Sequence, residues 1–207
     1  SLGVEVTIVE AAARLLPTED DWSSKQLTRA FRKRGITVRA GVALSEARVA
    51  EAGVTVDLAD DSESLHADVL LVAVGRGPRT AALGLEEAGI RLDRGFVVVD
   101  EALQTSVPGV YAVGDIVPGP QLAHRGFANG IFVAEQLAGL DCVPVADSGI
   151  PRVTYSHPEV ASVGLTETDA VERYGDVTTA VYDLGGNGKS RILQTSGGVK
   201  LVRAGSD

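Results

Sequence analysis

The chain has 207 residues, 44% of them hydrophobic, and carries a formal net charge of -9 with a pI of about 4.8. An acidic chain without a basic stripe argues against nucleic acid as a partner. No apolar run approaches the ~20 residues of a membrane span, and the single cysteine, Cys142, excludes an internal disulfide or a cysteine metal cluster. The length predicts two compact units, or pieces of several. The hydrophobic content and the 24 glycines suit a soluble α/β protein. The single cysteine fits a reducing cytosol.

The chain contains no methionine and begins with SLGVEVTIVE, inside an apparent strand. We therefore expect it to be a piece of a longer protein.

Val4 to Glu10 reads as a strand that ends in an acid. In a dinucleotide-binding unit, an acid at this position accepts the two hydroxyls of the adenosine ribose and repels a 2′-phosphate. Glu10 is therefore a candidate selector for NAD over NADP. The alternative is a solvated strand end.

Next come a helix, a strand and a hairpin. Ser23 or Ser24 can cap the helix, whose basic last turn precedes Gly35. The expected strands cover 36–40, 45–49 and 54–58, and the last two form a hairpin turned at Ala52-Gly53. His66 is expected at the surface, without a chemical role.

Ala67 to Gly75 is apolar throughout, which predicts a parallel strand buried on both faces and ended by a glycine turn. A short helix over 80–89 and a strand over 96–100 should follow.

The nine residues VPGVYAVGD, 107–115, predict a buried strand over 110–113 that ends at Gly114-Asp115. An amphipathic helix should span Leu122 to Leu137. Ligands of open α/β sheets bind where strand ends and helix N-termini converge. Asp115 is therefore either a ligand contact or a helix cap.

From Ile150 the pattern changes to alternating β-branched and polar residues, with a helix over 166–174 capped by Thr166. Strands over 177–184 and 198–203 flank a polar loop, GGNGKSRI. This order predicts the opening of a separate α+β domain.

Five segments, taken together, resemble the flavin-dependent pyridine nucleotide-disulfide oxidoreductases, and within that family the dihydrolipoyl dehydrogenases. They are VTIVE, ADVLLVAVGRGPRT, TSVPGVYAVGD, QLAHRGFANG and YSHPEVASVGLTE. The stretches QLAHRGFANGIFVAEQLAG and LGGNGKSRIL are most similar to actinobacterial members.

The resemblance implies partial Rossmann-like NAD and FAD domains and the start of an α+β interface domain. Residues 1–74 would end the NAD-binding domain, 75–148 would form the second part of the FAD-binding domain, and 149–207 would open the interface, or dimerisation, domain. It also implies a homodimer of this flavoprotein.

The same resemblance assigns cofactor-binding residues. Glu10 would bind the NAD ribose, Leu44 would line the adenine site, and Gly75 would approach the nicotinamide half of NAD. For FAD, Gly114 and Asp115 would contact the ribitol side, and the segment at the start of the helix facing the flavin would be Leu122, Ala123 and His124.

The family's redox-active cysteine pair and catalytic histidine have no counterpart here, because Cys142 has no partner and His157 lies in the interface segment. Phe127 stands where many members carry an acid. No catalytic residue and no metal site is assigned, and the chain alone is expected to be inactive. Missing early strands would also expose apolar faces, so we expect a partner chain or an oligomer.

The implied activity is oxidation of dihydrolipoamide, borne on a carrier protein of a 2-oxoacid dehydrogenase complex, with electrons passing through FAD to NAD. Two alternatives remain open. One is another flavoenzyme of this family, such as a soluble transhydrogenase or a mycothione or mercuric reductase. The other is a non-catalytic remnant acting as a scaffold.

Overall fold

The computed structural model describes residues 3–60 and 63–205. They divide into two compact units: residues 1–72 with 153–207, and residues 73–152. Both units mix helices and strands, which confirms the α/β class. No helix among the described residues has both the length and the apolar character needed to cross a bilayer.

The first unit begins with a parallel strand pair connected by a helix. Strand β1 (Thr7–Glu10) pairs with β2 (Thr37–Ala40), and α1 (Asp21–Lys33) joins them. The cap of α1 is Asp20, whose carboxylate accepts the Trp22 N–H, so the prediction of a serine cap is wrong. Ser24 is buried inside the helix and donates to the Leu15 carbonyl at 2.5 Å.

A three-stranded antiparallel sheet follows, in the order β3-β4-β5. Its hairpin lies where it was predicted, and alternate residues of the central strand are buried. His66 lies in the third strand, exposed, within 3.0 Å of the Thr55 hydroxyl. The strands are β3 (Leu44–Ala50), β4 (Gly53–Leu58) and β5 (Ser64–Ala67).

The prediction of a buried strand over 67–75 is wrong. Val69, Leu71 and Val74 are 80%, 84% and 94% exposed, and no described strand pairs with residues 68–75. A strand buried on both faces needs neighbours on both sides. Within this stretch, Leu70 packs on the buried cluster of the three-stranded sheet.

The carboxy-terminal part of the first unit is a small α+β arrangement. The long strands β10 (Val177–Asp183) and β11 (Gly198–Ala204) pair antiparallel over seven residues each, and α3 (Glu167–Tyr174) is capped by Thr166, as predicted. The predicted polar loop is instead a short 3-10 turn and helix α4, because the Asn187 side chain accepts the Lys189 and Ser190 N–H groups. The elements are β8 (Arg152–Thr154), β9 (Val160–Ser162), α3 (Glu167–Tyr174), β10 (Val177–Asp183), α4 (Gly188–Leu193) and β11 (Gly198–Ala204).

The second unit is built around helix α2 (Ala123–Leu137), close to the predicted span. The strand expected over 96–100 is present only as β7 (Phe96–Val97), which pairs with the short strand β6 (Leu92–Asp93). The helix expected over 80–89 is a series of turns, because Ala82 and Gly84 take left-handed φ angles of 61° and 67° that a right-handed helix excludes.

The segment 110–113 forms one isolated bridge, between Gln104 and Tyr111, rather than a strand. Its Ala112 is nevertheless buried, in a core cluster with Ile90, Val97 and Val117. The segment therefore reaches the core as expected, without a neighbouring strand that would extend its hydrogen bonding into a ladder.

Candidate functional site

Glu10 is the last residue of β1, and its side chain is half-buried. Its Oε1 accepts the Ala12 N–H at 2.7 Å, which holds the carboxylate over the turn that leaves the strand. The Glu10 carbonyl accepts the Val42 N–H at 3.2 Å. The acid therefore lies at the carboxyl end of a parallel strand pair, beside the segment that leaves β2.

Leu44 begins β3, two residues after Val42, and is 43% exposed. Its pairing with Leu58 is followed by an irregularity before Glu46. Val9 and Val42 both pack on the buried cluster of Val54, Val56 and Leu58. The packing brings the end of β1 and the start of β3 to one region of the first unit, where a carboxylate and an apolar side chain are both accessible to a ligand.

Gly75 belongs to the second unit, so the structure does not bring it together with Glu10 and Leu44 in one compact body. It is exposed with a φ of 135°, and a Cβ added there would meet no atom within 4 Å. The backbone at this glycine is open to a close approach by a ligand.

Gly114 and Asp115 lie in a 3-10 turn over Gly114–Ile116 rather than at the end of a regular strand. Gly114 has a φ of 79°, and the Asp115 side chain is exposed while its carbonyl accepts the Gln121 amide at 3.2 Å. A Cβ on Gly126 would lie 3.4 Å from the Gly114 Cα. Helix α2 therefore packs closely against this turn through two glycines.

Leu122, Ala123 and His124 form the N-terminus of α2, and no side chain caps this end of the helix. Its first turn contains no acidic residue. The helix dipole places partial positive charge here, which favours an anion or an electronegative oxygen. His124 Nε2 lies 2.6 Å from the Pro151 carbonyl; since a carbonyl only accepts, this nitrogen carries the proton.

Sequence reasoning missed a buried polar row on the same helix, Arg125 and Asn129, which are 6% and 4% exposed. Arg125 donates from Nε to Asp147 at 2.6 Å and from Nη2 to the Pro118 carbonyl at 2.7 Å. Among the described residues, Arg125 Nη1 and Asn129 Nδ2 have no hydrogen-bond partner. The signal in the sequence was the four-residue spacing of two polar residues on one helix face, together with Phe132.

Cys142 gains no catalytic character from its surroundings. It is partly buried, with its Sγ 3.9 Å from the Phe132 carbonyl. Burial, and then the charges of Glu135 and Asp141, raise the pKa of the thiol. Less thiolate is then present at neutral pH, which is the opposite of what an activated nucleophile needs.

Comparison with family models identifies two matches. Residues 1–130 match the pyridine nucleotide-disulphide oxidoreductase model, and residues 150–207 match the dimerisation domain model of the same group.

Curated relatives match over nearly the whole chain. A dihydrolipoyl dehydrogenase of Chlorobaculum tepidum is 41% identical over 97% of this chain, and one of Bacillus subtilis is 37% identical over all of it. A third, of Corynebacterium glutamicum, is 37% identical over 97%. The chain spans only 44–45% of the length of these relatives.

Solved structures agree with the sequence matches. LpdA from Mycobacterium tuberculosis superposes with a TM-score of 0.87 at 27% identity, over 99% of this chain and 45% of that one. The HOCl-induced flavoprotein disulfide reductase RclA from Escherichia coli gives 0.86 at 28% identity, over 98% and 47%. The fold of this chain therefore also occurs in both of these proteins, over somewhat less than half of each.

Proposed function

The chain belongs to the pyridine nucleotide-disulphide oxidoreductase family, and from that premise we propose that it is part of a dihydrolipoyl dehydrogenase. The whole protein would oxidise dihydrolipoamide to lipoamide and pass the electron pair through FAD to NAD, releasing NADH and a proton. The observation that carries the proposal is the 37–41% identity with dihydrolipoyl dehydrogenases over 97–100% of this chain.

The residues at the end of β1 and near it have the chemistry needed to bind a nucleotide. Glu10 offers a carboxylate to the adenosine ribose hydroxyls, and the N–H of Ala12 already fixes its orientation. The same carboxylate would repel the 2′-phosphate of NADP. Leu44 offers an exposed apolar surface to the adenine ring. Gly75 would let the nicotinamide half approach the backbone.

The second unit suits a flavin nucleotide. The uncapped N-terminus of α2 offers N–H groups and partial positive charge at Leu122, Ala123 and His124. Asp115 offers an exposed carboxylate to ribityl hydroxyls, beside a glycine turn with no Cβ at Gly114. Bound FAD would supply the two-electron chemistry, while these residues bind and orient it.

The proposed domain assignment follows from this division. Residues 1–74 would belong to the NAD-binding domain, 75–148 to the FAD-binding domain and 149–207 to the dimerisation domain. We expect the 207-residue chain alone to lack dihydrolipoamide oxidation, because its single cysteine cannot form the dithiol-disulfide couple.

A homodimer is the proposed assembly, formed through the outer face of the β10–β11 pair. Tyr182, Val199 and Leu201 share that face through the registers Tyr182–Val199 and Ala180–Leu201. They are 61%, 47% and 66% exposed, an apolar surface that a second copy would cover. The dimerisation domain model matches this region. The further proposed partner is a lipoyl-bearing carrier protein of a 2-oxoacid dehydrogenase complex, in the cytoplasm.

The deciding experiment assays the full-length protein that contains this chain, purified with FAD, for NADH formation from dihydrolipoamide. NAD should support the reaction far better than NADP. No NADH formation, together with rapid reduction of a mycothiol disulfide or of Hg²⁺ by a reduced nicotinamide nucleotide, would instead identify a mycothione or mercuric reductase. Hydride exchange between NADPH and NAD without a dithiol would identify a transhydrogenase, and inactivity of the FAD-loaded protein in all assays would favour the scaffold.

The NAD site has a matched pair of variants. Glu10→Ala should raise the KM for NAD with little change in kcat, because the ribose contact is remote from the reacting atoms. Glu5→Ala removes an exposed acid from the same end of the chain and should leave both parameters unchanged. An unchanged KM in the Glu10 variant would contradict the assignment.

A further inference from the structure

The first unit is assembled from two parts of the chain that are far apart in sequence, residues 1–72 and 153–207. We name them the amino-terminal segment and the carboxy-terminal segment. Their contact includes several hydrogen bonds between side chains of one segment and groups of the other. Glu19, a residue only 4% exposed, accepts a hydrogen bond from the Ser162 hydroxyl, and Arg34 donates to the His157 carbonyl at 2.8 Å.

One carboxylate lies at the centre of this contact. Asp20 Oδ1 accepts the Trp22 N–H at 2.9 Å and so caps α1, in its own segment. Asp20 Oδ2 accepts the N–H of Glu167 at 3.0 Å, and Glu167 is the first residue of α3, in the other segment. A single side chain thus binds the N-termini of two helices, and its bond to the second joins residues 147 positions apart.

Lys200 completes the arrangement from β11. Its Nζ donates to Asp20 Oδ1 at 2.7 Å and to Glu167 Oε2 at 2.6 Å, and its side chain is 11% exposed. Two carboxylates then face one ammonium and two helix N-termini, each worth roughly half a positive charge. Asp20 reaches the Lys200 ammonium and the N-terminus of α3 only when the segments are docked.

Apolar packing next to the cluster is tight. A Cβ added to Gly198 would lie 2.9 Å from Trp22 Cζ2 and 3.0 Å from the Tyr182 carbonyl oxygen. Trp22 therefore rests directly on the backbone of β11, and its environment reports whether the segments are docked.

We propose that Asp20 is the docking residue of the first unit: by capping α1 and α3 at once and pairing with Lys200, it makes the two segments open and close as one cooperative body. The amino-terminal segment lies within the match to the oxidoreductase model and the carboxy-terminal segment within the match to the dimerisation model. This contact therefore sets how the proposed nucleotide-binding domain is held on the dimerisation domain. The proposal rests on the contacts of the described residues and is independent of the enzyme's substrate.

Hydrogen exchange of backbone amides in the 207-residue chain tests the double cap. Asp20→Ala should lower the protection of the first turns of both α1 and α3 by about tenfold or more, since hydrogen bonds to a charged group are lost at each. Thr166→Ala removes the internal cap of α3 alone and gives the size of a single-helix effect.

Asp20→Ser separates capping from docking. Serine caps a helix nearly as well as aspartate, so α1 should keep its protection. The shorter, uncharged side chain offers one oxygen, so the first turn of α3 should lose protection and Trp22, the chain's one tryptophan, should show red-shifted fluorescence. Protection at Glu167 equal to that of the unsubstituted chain would overturn the proposal.

Lys200→Met keeps the aliphatic stem and both helix caps, so it tests the cluster even if the Asp20 variants fold poorly. It should also speed exchange at Glu167 and shift the Trp22 emission, and Lys200→Arg should restore much of both. The double variant Asp20→Asn with Lys200→Met tests the pairing, because groups in one network are expected to couple. If the losses of protection at Glu167 in the two single variants simply add in the double variant, the pairing is overturned.

Discussion

Arg125 and Asp147 form an ion pair in the second unit, with Arg125 Nε 2.6 Å from Asp147 Oδ1. The arginine side chain is 8% exposed and the aspartate 44% exposed. The pair fixes α2 to the loop that contains the 3-10 turn at Asp147–Gly149, and thereby holds the helix whose N-terminus is proposed to face the flavin.

Removing the acid from this pair should destabilise the second unit. Asp147→Ala leaves a buried guanidinium without its anionic partner, and since water reaches Asp147 we expect a loss of about 1–2 kcal/mol in the free energy of unfolding. Exchange of α2 amides in increasing urea measures it. The control is Asp93→Ala, whose partner Arg94 lies 3.7 Å away with both side chains exposed, and which should cost less than about 0.5 kcal/mol. Equal losses would contradict the role of the buried pair.

Two glycines of α2 should respond differently to alanine. A Cβ on Gly130 would meet nothing within 4 Å, so Gly130→Ala should stabilise the chain by up to about 1 kcal/mol through helix propensity. A Cβ on Gly126 would touch the Gly114 Cα at 3.4 Å, so Gly126→Ala should stabilise less.

A larger side chain at the same position extends this test to the cofactor. Gly126→Leu should push the helix from the turn at Gly114–Ile116, cost about 1–3 kcal/mol, and weaken FAD binding by the full-length protein. Urea denaturation and flavin titration give the two readouts. An unaltered flavin affinity in a folded Gly126→Leu protein would argue against a flavin contact at this turn.

Neighbouring glycines in the first unit form a second matched pair. Gly198→Ala places a methyl group within 3.0 Å of both Trp22 and the Tyr182 carbonyl, so the strand must shift, at a cost of about 1–3 kcal/mol. At Gly197 the nearest atom is Leu184 Cδ1 at 4.0 Å, and alanine there should change stability by less than about 0.5 kcal/mol. Thermal unfolding followed by Trp22 fluorescence distinguishes the two, and similar midpoints would contradict the packing argument.

Acid should weaken the docking cluster. Burial raises the pKa of Asp20, but the bonds from Lys200 and from the Glu167 and Trp22 amides together bring the pKa below its usual 3.8. A carboxyl with a lowered folded-state pKa contributes stability that is present above 3.8 and is lost as the pH falls through the folded-state value. The free energy of unfolding of the original chain should therefore fall below about pH 4 more steeply than that of Asp20→Asn.

The difference between the two titration curves isolates Asp20. The pKa of Asp57 is also lowered, by Arg48 and Ser64, and this contribution is common to both proteins. Glu167 and the exposed Asp21–Lys25 pair, which lie beside the cluster, are present in both proteins. Parallel curves below about pH 4 would show that Asp20 carries no linked stability.

Lys200 gives the opposite dependence. Burial lowers the pKa of its ammonium, but the bonds to Asp20 and Glu167 raise the pKa above its usual 10.5. Its stabilisation is complete below 10.5 and is lost as the pH rises through the higher folded-state value. Between these limits Asp20 and Lys200 are both charged, so a change of pH near neutrality should affect their pairing little.

Patterns of residues close together in the sequence were enough to predict several elements. The alternation of the β3–β4 hairpin, the span of α2 and the Thr166 cap of α3 each depend on residues a few positions apart, and each lies where it was predicted. The family could be recognised from five short segments for the same reason, since each segment is a pattern of residues a few positions apart.

Tertiary structure decided the rest. No periodicity reveals that Asp20 bonds to Lys200, 180 positions away, or that the helix cap is Asp20 instead of a nearby serine. The apolar stretch 67–75 has the composition of a buried strand, yet burial depends on neighbours that the described residues do not supply. Composition expresses what a segment prefers, whereas hydrogen-bond partners and burial are set by which distant segments meet it in the folded chain.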